Sequence, residues 1–219
     1  MSTETIEKTK EVKAKEPFLT KKDRKLVTNP LDSDNPITVQ VLGVCSALAV
    51  TVAMKPTLVM ALAVTFVVVM ANVVISMLRK TIPNRIRIIV QLVVVASLVA
   101  VVDQVLQAYV YDVSKQLSVF VGLIITNCIV MGRLEAFALG NPPKQSALDG
   151  LGNSMGYAWI ILTISFFREL FGSGKLFGAT VLSKDWYIPN GVLMTPAGAC
   201  ILLGILIWVV RSRNGIVED

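Results

Sequence analysis

From Trp186 to Val210, 25 consecutive residues carry no charged side chain. A helix of that length measures about 37 Å at 1.5 Å per residue, more than the ~30 Å of hydrocarbon in a bilayer. Five further runs are free of charge: Asn35 to Met54, Pro56 to Leu78, Ile88 to Val102 with an extension toward Tyr111, Gln116 to Gly132, and Gly150 to Phe167. Breaker clusters lie between them, among them Thr81-Ile82-Pro83-Asn84, Gly140-Asn141-Pro142-Pro143 and Ile188-Pro189-Asn190-Gly191. Only 16% of the 219 residues are charged and 54% are hydrophobic, with a mean hydropathy of +0.67. An ordinary soluble domain carries about 25% charge. The sequence therefore reads as an all-α membrane protein of six transmembrane helices, with no room for a separate soluble catalytic domain.

Residues 1–36 form a polar tail. As far as Lys25 it holds eight basic residues, five acidic ones and no apolar run, so it is not a cleavable secretory signal. It reads as a solvated basic arm near lipid headgroups, or as a docking arm for a soluble partner. Counting Lys and Arg sets the orientation: with a cytoplasmic tail and six spans, 16 of the 21 fall on the cytoplasmic side, leaving Lys55, Lys115, Arg168, Lys175 and Lys184 outside. Both termini are expected in the cytoplasm, and Tyr109, Tyr111, Trp186 and Tyr187 at the outer interface. The expected divisions are the tail at 1–36, one three-helix unit at 37–111, a second at 112–211, and a short cytoplasmic tail at 212–219.

Small or polar residues interrupt two spans near the middle, the first at Leu42-Gly43-Val44-Cys45-Ser46 and the fourth at Thr126-Asn127-Cys128-Ile129. Each interruption holds one cysteine. A broken span and two continuous ones, then the same again, describe a 3+3 inverted repeat, because an odd number of spans turns the second copy over. Irregular backbone at membrane depth survives only where protein or water satisfies it, so Cys45 and Cys128 are expected to face inward.

The residues alone leave the role of these cysteines open. Cysteine packs as a small hydrophobe, a disulfide is disfavoured in this setting, and a metal site needs thiolates from another chain. Three cysteines and no histidine cannot make a four-thiolate site, a His-ligated haem or zinc, or a His-based triad. Cys200, inside Ala197-Gly198-Ala199-Cys200, reads as a packing residue. Asp103 marks either an ion path or the outer headgroup level. Arg168-Glu169 reads as an ion pair with a partner or a local pair, with the structural role preferred.

Specific blocks carry a family resemblance. Asn35-Pro36 with Val39 to Val50, Ile82-Pro83-Asn84 with Arg87 to Gln91, Val102-Asp103-Gln104, the long block Ser114 to Arg133, and Phe167 to Gly178 resemble the membrane subunits shared by bacterial sodium-translocating NADH:quinone reductases and the related Rnf electron-transport complexes. The Ser114 to Leu123 run and Trp186-Tyr187 with Pro189-Asn190-Gly191 are closer to the D subunit of the reductase branch.

The resemblance implies an inner-membrane, multi-pass subunit of a six-subunit complex, not catalytic alone, paired with a homologous E subunit in inverted orientation. It implies a [2Fe–2S] cluster shared by the two chains, with Cys45 and Cys128 as this chain's ligands and Ser46 and Asn127 beside them as candidate donors to sulfur. Flavins and ubiquinone are expected on other subunits, and electron relay is expected to be coupled to sodium export. The competing readings are the equivalent E subunit of an Rnf ferredoxin:NAD complex and a solute transporter. The lipid bilayer is the surrounding medium, and no nucleic-acid partner is expected.

Overall fold

The computed structural model describes residues 21–31, 34–83, 85–109, 122–176, 179–180 and 191–213. Helix α1, Lys21–Thr28, ends in a single 3-10 turn, Asn29–Leu31. Turns then lead to the short helix α2, Val44–Val50. Helix α3, Met54–Leu78, and helix α4, Arg87–Tyr109, follow. Pro56 sits in the first turn of α3, where amides have no intrahelical acceptor to lose, so the helix starts ahead of it.

Residues 122–125 are helical and the chain breaks at Thr126 and Asn127. It resumes as α5, Cys128–Arg133, and passes into a π turn, Leu134–Ala138. Helix α6, Pro143–Ser173, is the longest, and beyond it Lys175–Leu176 pairs antiparallel with Ala179–Thr180. The chain closes with α7, Gly191–Met194, and α8, Pro196–Arg213.

Among the described residues, three helices are long and apolar enough to cross a membrane: α3, α4 and α8. Helix α6 has the length, roughly 46 Å over its 31 residues, but it runs through Lys144, Asp149, Arg168 and Glu169, where the charge-free stretch stops at both ends. The first expected span is a half-helix preceded by irregular backbone. The last has a further break at Thr195, just ahead of Pro196, which opens α8 at its first position.

Helices α3 and α6 form the spine, and Val64, Val67, Ala71 and Ile75 of one belong to the same buried cluster as Tyr157, Ile160 and Ile164 of the other. Polar rungs join them: Thr57 Oγ1 donates to Ser165 Oγ at 3.1 Å and Asn72 Nδ2 to Ser146 O at 3.0 Å, while Ser76 Oγ donates to Asn141 O, just ahead of α6, at 2.6 Å. Away from water, where apolar burial gives little drive between helices, such bonds and close contacts hold a bundle together. Helix α4 buries only Gln91, Val95 and Val99, one residue per turn, and leaves its remaining face to the surroundings.

The described part of the N-terminal tail is packed on the bundle. Pro30, Asn35 and Pro36 are buried, and Asn35 Nδ2 donates to Gly156 O at 3.2 Å. A Cβ at Gly152 would lie 2.6 Å from Leu26 O, and one at Gly156 would overlap the Pro30 carbonyl. The two glycines, one helical turn apart, open a notch in α6 for the segment. A solvated arm is thus the wrong description for the packed parts of the tail at residues 26–30 and 35–36.

Candidate functional site

Two irregular segments meet at the centre of the site. At the first break Val41 and Gly43 both take the left-handed conformation, with φ of 54° and 81°. Glycine adopts it freely, whereas for β-branched Val41 it is a strained outlier, of the kind that gathers at functional sites. A Cβ at Gly43 would sit 3.1 Å from a Tyr157 ring carbon and 3.5 Å from Asn127 Oδ1, so the backbone is drawn against both. At the second break, extended Asn127 caps α5, its Oδ1 accepting from Ile129 N at 3.3 Å, as expected of asparagine at an N-cap.

A buried polar knot ties the breaks together. Ser46 Oγ donates to Gly43 O at 2.9 Å, lies 2.7 Å from the Tyr157 hydroxyl, and accepts from Asn127 Nδ2 at 3.2 Å. Ser46, Asn127 and Tyr157 are each no more than 1% exposed. Tyr157 is a member of the site that sequence reasoning missed. Its signal is a tyrosine in the middle of an apolar span, away from the interfaces where such rings usually sit.

The cysteines flank this knot, Cys45 preceding Ser46 and Cys128 following Asn127, and both are free and exposed on the surface of the chain. The expectation that they face inward is corrected. Ser46 and Asn127 must turn inward to satisfy the broken backbone, and on a helix the adjacent residue then points about 100° away. The same geometry spends the one hydroxyl donor of Ser46 on Gly43 O and one of the two Nδ2 hydrogens of Asn127 on Ser46 Oγ. Among the described residues no three Cys, Asp or Glu side chains gather closely enough to hold a metal ion. Two outward thiols at adjoining turns suit half of a four-thiolate site completed by another chain. Cys200 is exposed on α8.

The charged residues have separate tasks. Arg133 pairs with Asp149 through Nε to Oδ2 at 2.9 Å and through a second bond to Oδ1, and Asn153 Nδ2 also donates to Oδ1 at 3.2 Å. A polar cavity of ≈ 270 Å³ lies between this pair and Lys25, Asp34 and Gln40 of the N-terminal segment. Asp103 accepts from Gln107 Nε2 at 2.8 Å, while its Oδ1 is buried without a hydrogen-bond partner.

A local ion pair between Arg168 and Glu169 is not seen among the described residues. Glu169 Oε2 accepts from Met54 N at 2.6 Å, the first amide of α3, while Arg168 is fully buried against backbone carbonyls. Tyr111, Trp186 and Tyr187 lie outside the described residues.

A family profile described as "Rnf-Nqr subunit, membrane protein" matches residues 24–207. The chain belongs to the Rnf-Nqr family. Among its relatives are the D subunits of the Na(+)-translocating NADH-quinone reductases of Shewanella halifaxensis and Shewanella woodyi. Each is 58% identical over 193 residues, covering 86% of this chain and 92% of the relative. The stretch that matches the Rnf-Nqr profile takes in the packed residues 26–30 and 35–36, both breaks and the whole of α6.

Proposed function

We propose that this chain is the D-type membrane subunit of a sodium-translocating NADH:quinone reductase and relays electrons through the bilayer. In this reading Cys45 and Cys128 hold a [2Fe–2S] cluster together with two cysteines of a homologous E-type subunit inserted in the opposite orientation. One contact carries the reading: the Asn127 to Ser46 hydrogen bond joins the two breaks and leaves a thiol from each facing out of the chain. The Arg–Asp pair and the Tyr157 knot hold those turns rigid, which keeps the ligand geometry from relaxing between oxidation states. When bound, the cluster supplies a one-electron way-station across ~30 Å of hydrocarbon, too far for one rapid tunnelling step.

The six spans as a 3+3 inverted repeat, the cytoplasmic termini and the bacterial inner-membrane location belong to the same proposal, supported by the Lys and Arg bias and by the two broken spans. Asp103, with one carboxylate oxygen unpartnered, is the proposed contribution to a sodium path. Relatives named for the reductase at this identity favour it over an Rnf complex.

The test is iron content and the reduced-state paramagnetic resonance spectrum of the purified complex. Cys45→Ser and Cys128→Ser are expected to lose one cluster's iron and its signal together with NADH:quinone turnover, while Cys200→Ser keeps both. Unchanged iron in the Cys45/Cys128 double variant refutes the ligand assignment and moves a transporter to the front.

A further inference from the structure

Arg168 is the one arginine among the described residues with no exposed surface at all, and no carboxylate among them accompanies it. Its guanidinium has five N–H donors, and the structure gives it five acceptors. Nε donates to Leu193 O at 3.0 Å. One terminal nitrogen donates to Leu48 O at 3.3 Å and Thr51 Oγ1 at 2.7 Å, and the other to Met194 O at 2.9 Å and Thr195 O at 3.2 Å. Three of these, Leu48, Leu193 and Met194, are backbone carbonyls at the C-terminal ends of the short helices α2 and α7, where unsatisfied carbonyls carry partial negative charge, and a fourth is the Thr195 carbonyl at the break itself. Lysine, a point charge with three donors, cannot span both ends.

We propose that Arg168 is the positioning residue of the cysteine-bearing half-helix α2. It fixes the far end of that helix against the break at Thr195, and its buried positive charge raises the reduction potential at the Cys45 side of the relay. Leu48 is three residues beyond Cys45, less than one turn or roughly 4.5 Å along the axis, so a clamp on the Leu48 carbonyl restrains the turn of backbone that carries Cys45. The neighbouring Glu169 does not cancel the charge by contact, because its Oε2 is engaged by the Met54 amide. Together the two side chains bracket the turn at 51–54, cation on the outgoing carbonyls and carboxylate on the incoming amide.

The inference rests on the relay reading above, and the test separates the two. In the purified whole complex, the midpoint potential of the intramembrane cluster signal is titrated, and the rate of iron loss to a chelator is followed, for wild type, Arg168→Gln, Arg168→Lys and Thr51→Val. Arg168→Gln is expected to shift the midpoint downward and to speed iron loss. Arg168→Lys keeps the midpoint near wild type but speeds iron loss, since the charge stays and the clamp goes. Thr51→Val, which removes the Arg168 bond and the hydroxyl's own bond to Ala47 O within α2, is expected to leave the midpoint unchanged and to speed iron loss roughly fivefold or more, the factor one such hydrogen bond represents. A wild-type signal present and unmoved in Arg168→Gln, or iron loss in Thr51→Val at the wild-type rate, overturns the role of Arg168. Absence of the signal in wild type overturns the relay reading and this inference with it.

Discussion

Replacing Ser46 by alanine tests whether its hydroxyl is the node that joins the two breaks. Three groups meet there: the Gly43 carbonyl, the Tyr157 hydroxyl and the Asn127 amide. Ser46→Ala leaves the Tyr157 hydroxyl and the Asn127 Nδ2 buried without this partner, at about 1–3 kcal/mol each, hence about 2–6 kcal/mol in total. Tyr157→Phe removes one bond of the three and strands nothing, because Ser46 still donates to Gly43 O and accepts from Asn127; its cost is about 1 kcal/mol. The double variant Ser46→Ala/Tyr157→Phe should cost less than the sum, since the second change removes a hydroxyl the first had orphaned. Equilibrium unfolding of the detergent-solubilised protein, followed by tryptophan fluorescence, measures all three. A Tyr157→Phe cost equal to or above that of Ser46→Ala would show that the serine is not the shared node.

Arg133→Met leaves the Asp149 carboxylate, 3% exposed, without its counter-charge, and is expected to cost about 3–5 kcal/mol, read as loss of folded protein in the membrane; near-normal yield with normal unfolding refutes it. Gly156→Ala pushes a methyl into the Pro30 carbonyl and should destabilise docking of the N-terminal segment by about 1–3 kcal/mol, seen as faster tryptic cleavage after Lys25, and an unchanged cleavage rate counts against the notch. Reporter fusions at both ends should score as cytoplasmic; an outer C-terminus means an odd number of spans and no inverted repeat.

Periodicity and charge made much of the architecture legible. The stretches around α3 and α4 announced themselves because lipid-facing helices must be apolar nearly all round, and Gly43 and Asn127 marked both cysteine-bearing breaks. Burial of charge was what hid the rest. Helix α6 extends past its charge-free stretch at both ends because Asp149 and Arg168 find partners away in sequence, at Arg133 and at Leu48 and Leu193, and no local pattern reports such partners. The outward turn of Cys45 and Cys128 was hidden for a related reason. A broken segment needs internal hydrogen bonds, but which of two adjacent polar residues supplies them depends on where Tyr157 stands.

The seating of the N-terminal segment on α6 also imposes an order on biogenesis. Asn35 meets Gly156, 121 residues further along the chain, so this contact cannot form while its own half of the protein is being made. At ribosomal speeds of about 5–20 residues per second, the segment waits on the order of 6 to 24 s before its groove exists. During that interval the strained turn at Val41 and Gly43 is held only by local bonds such as Ser46 Oγ to Gly43 O, and the first cysteine-bearing break takes its final form only after the helix carrying Tyr157 has been inserted.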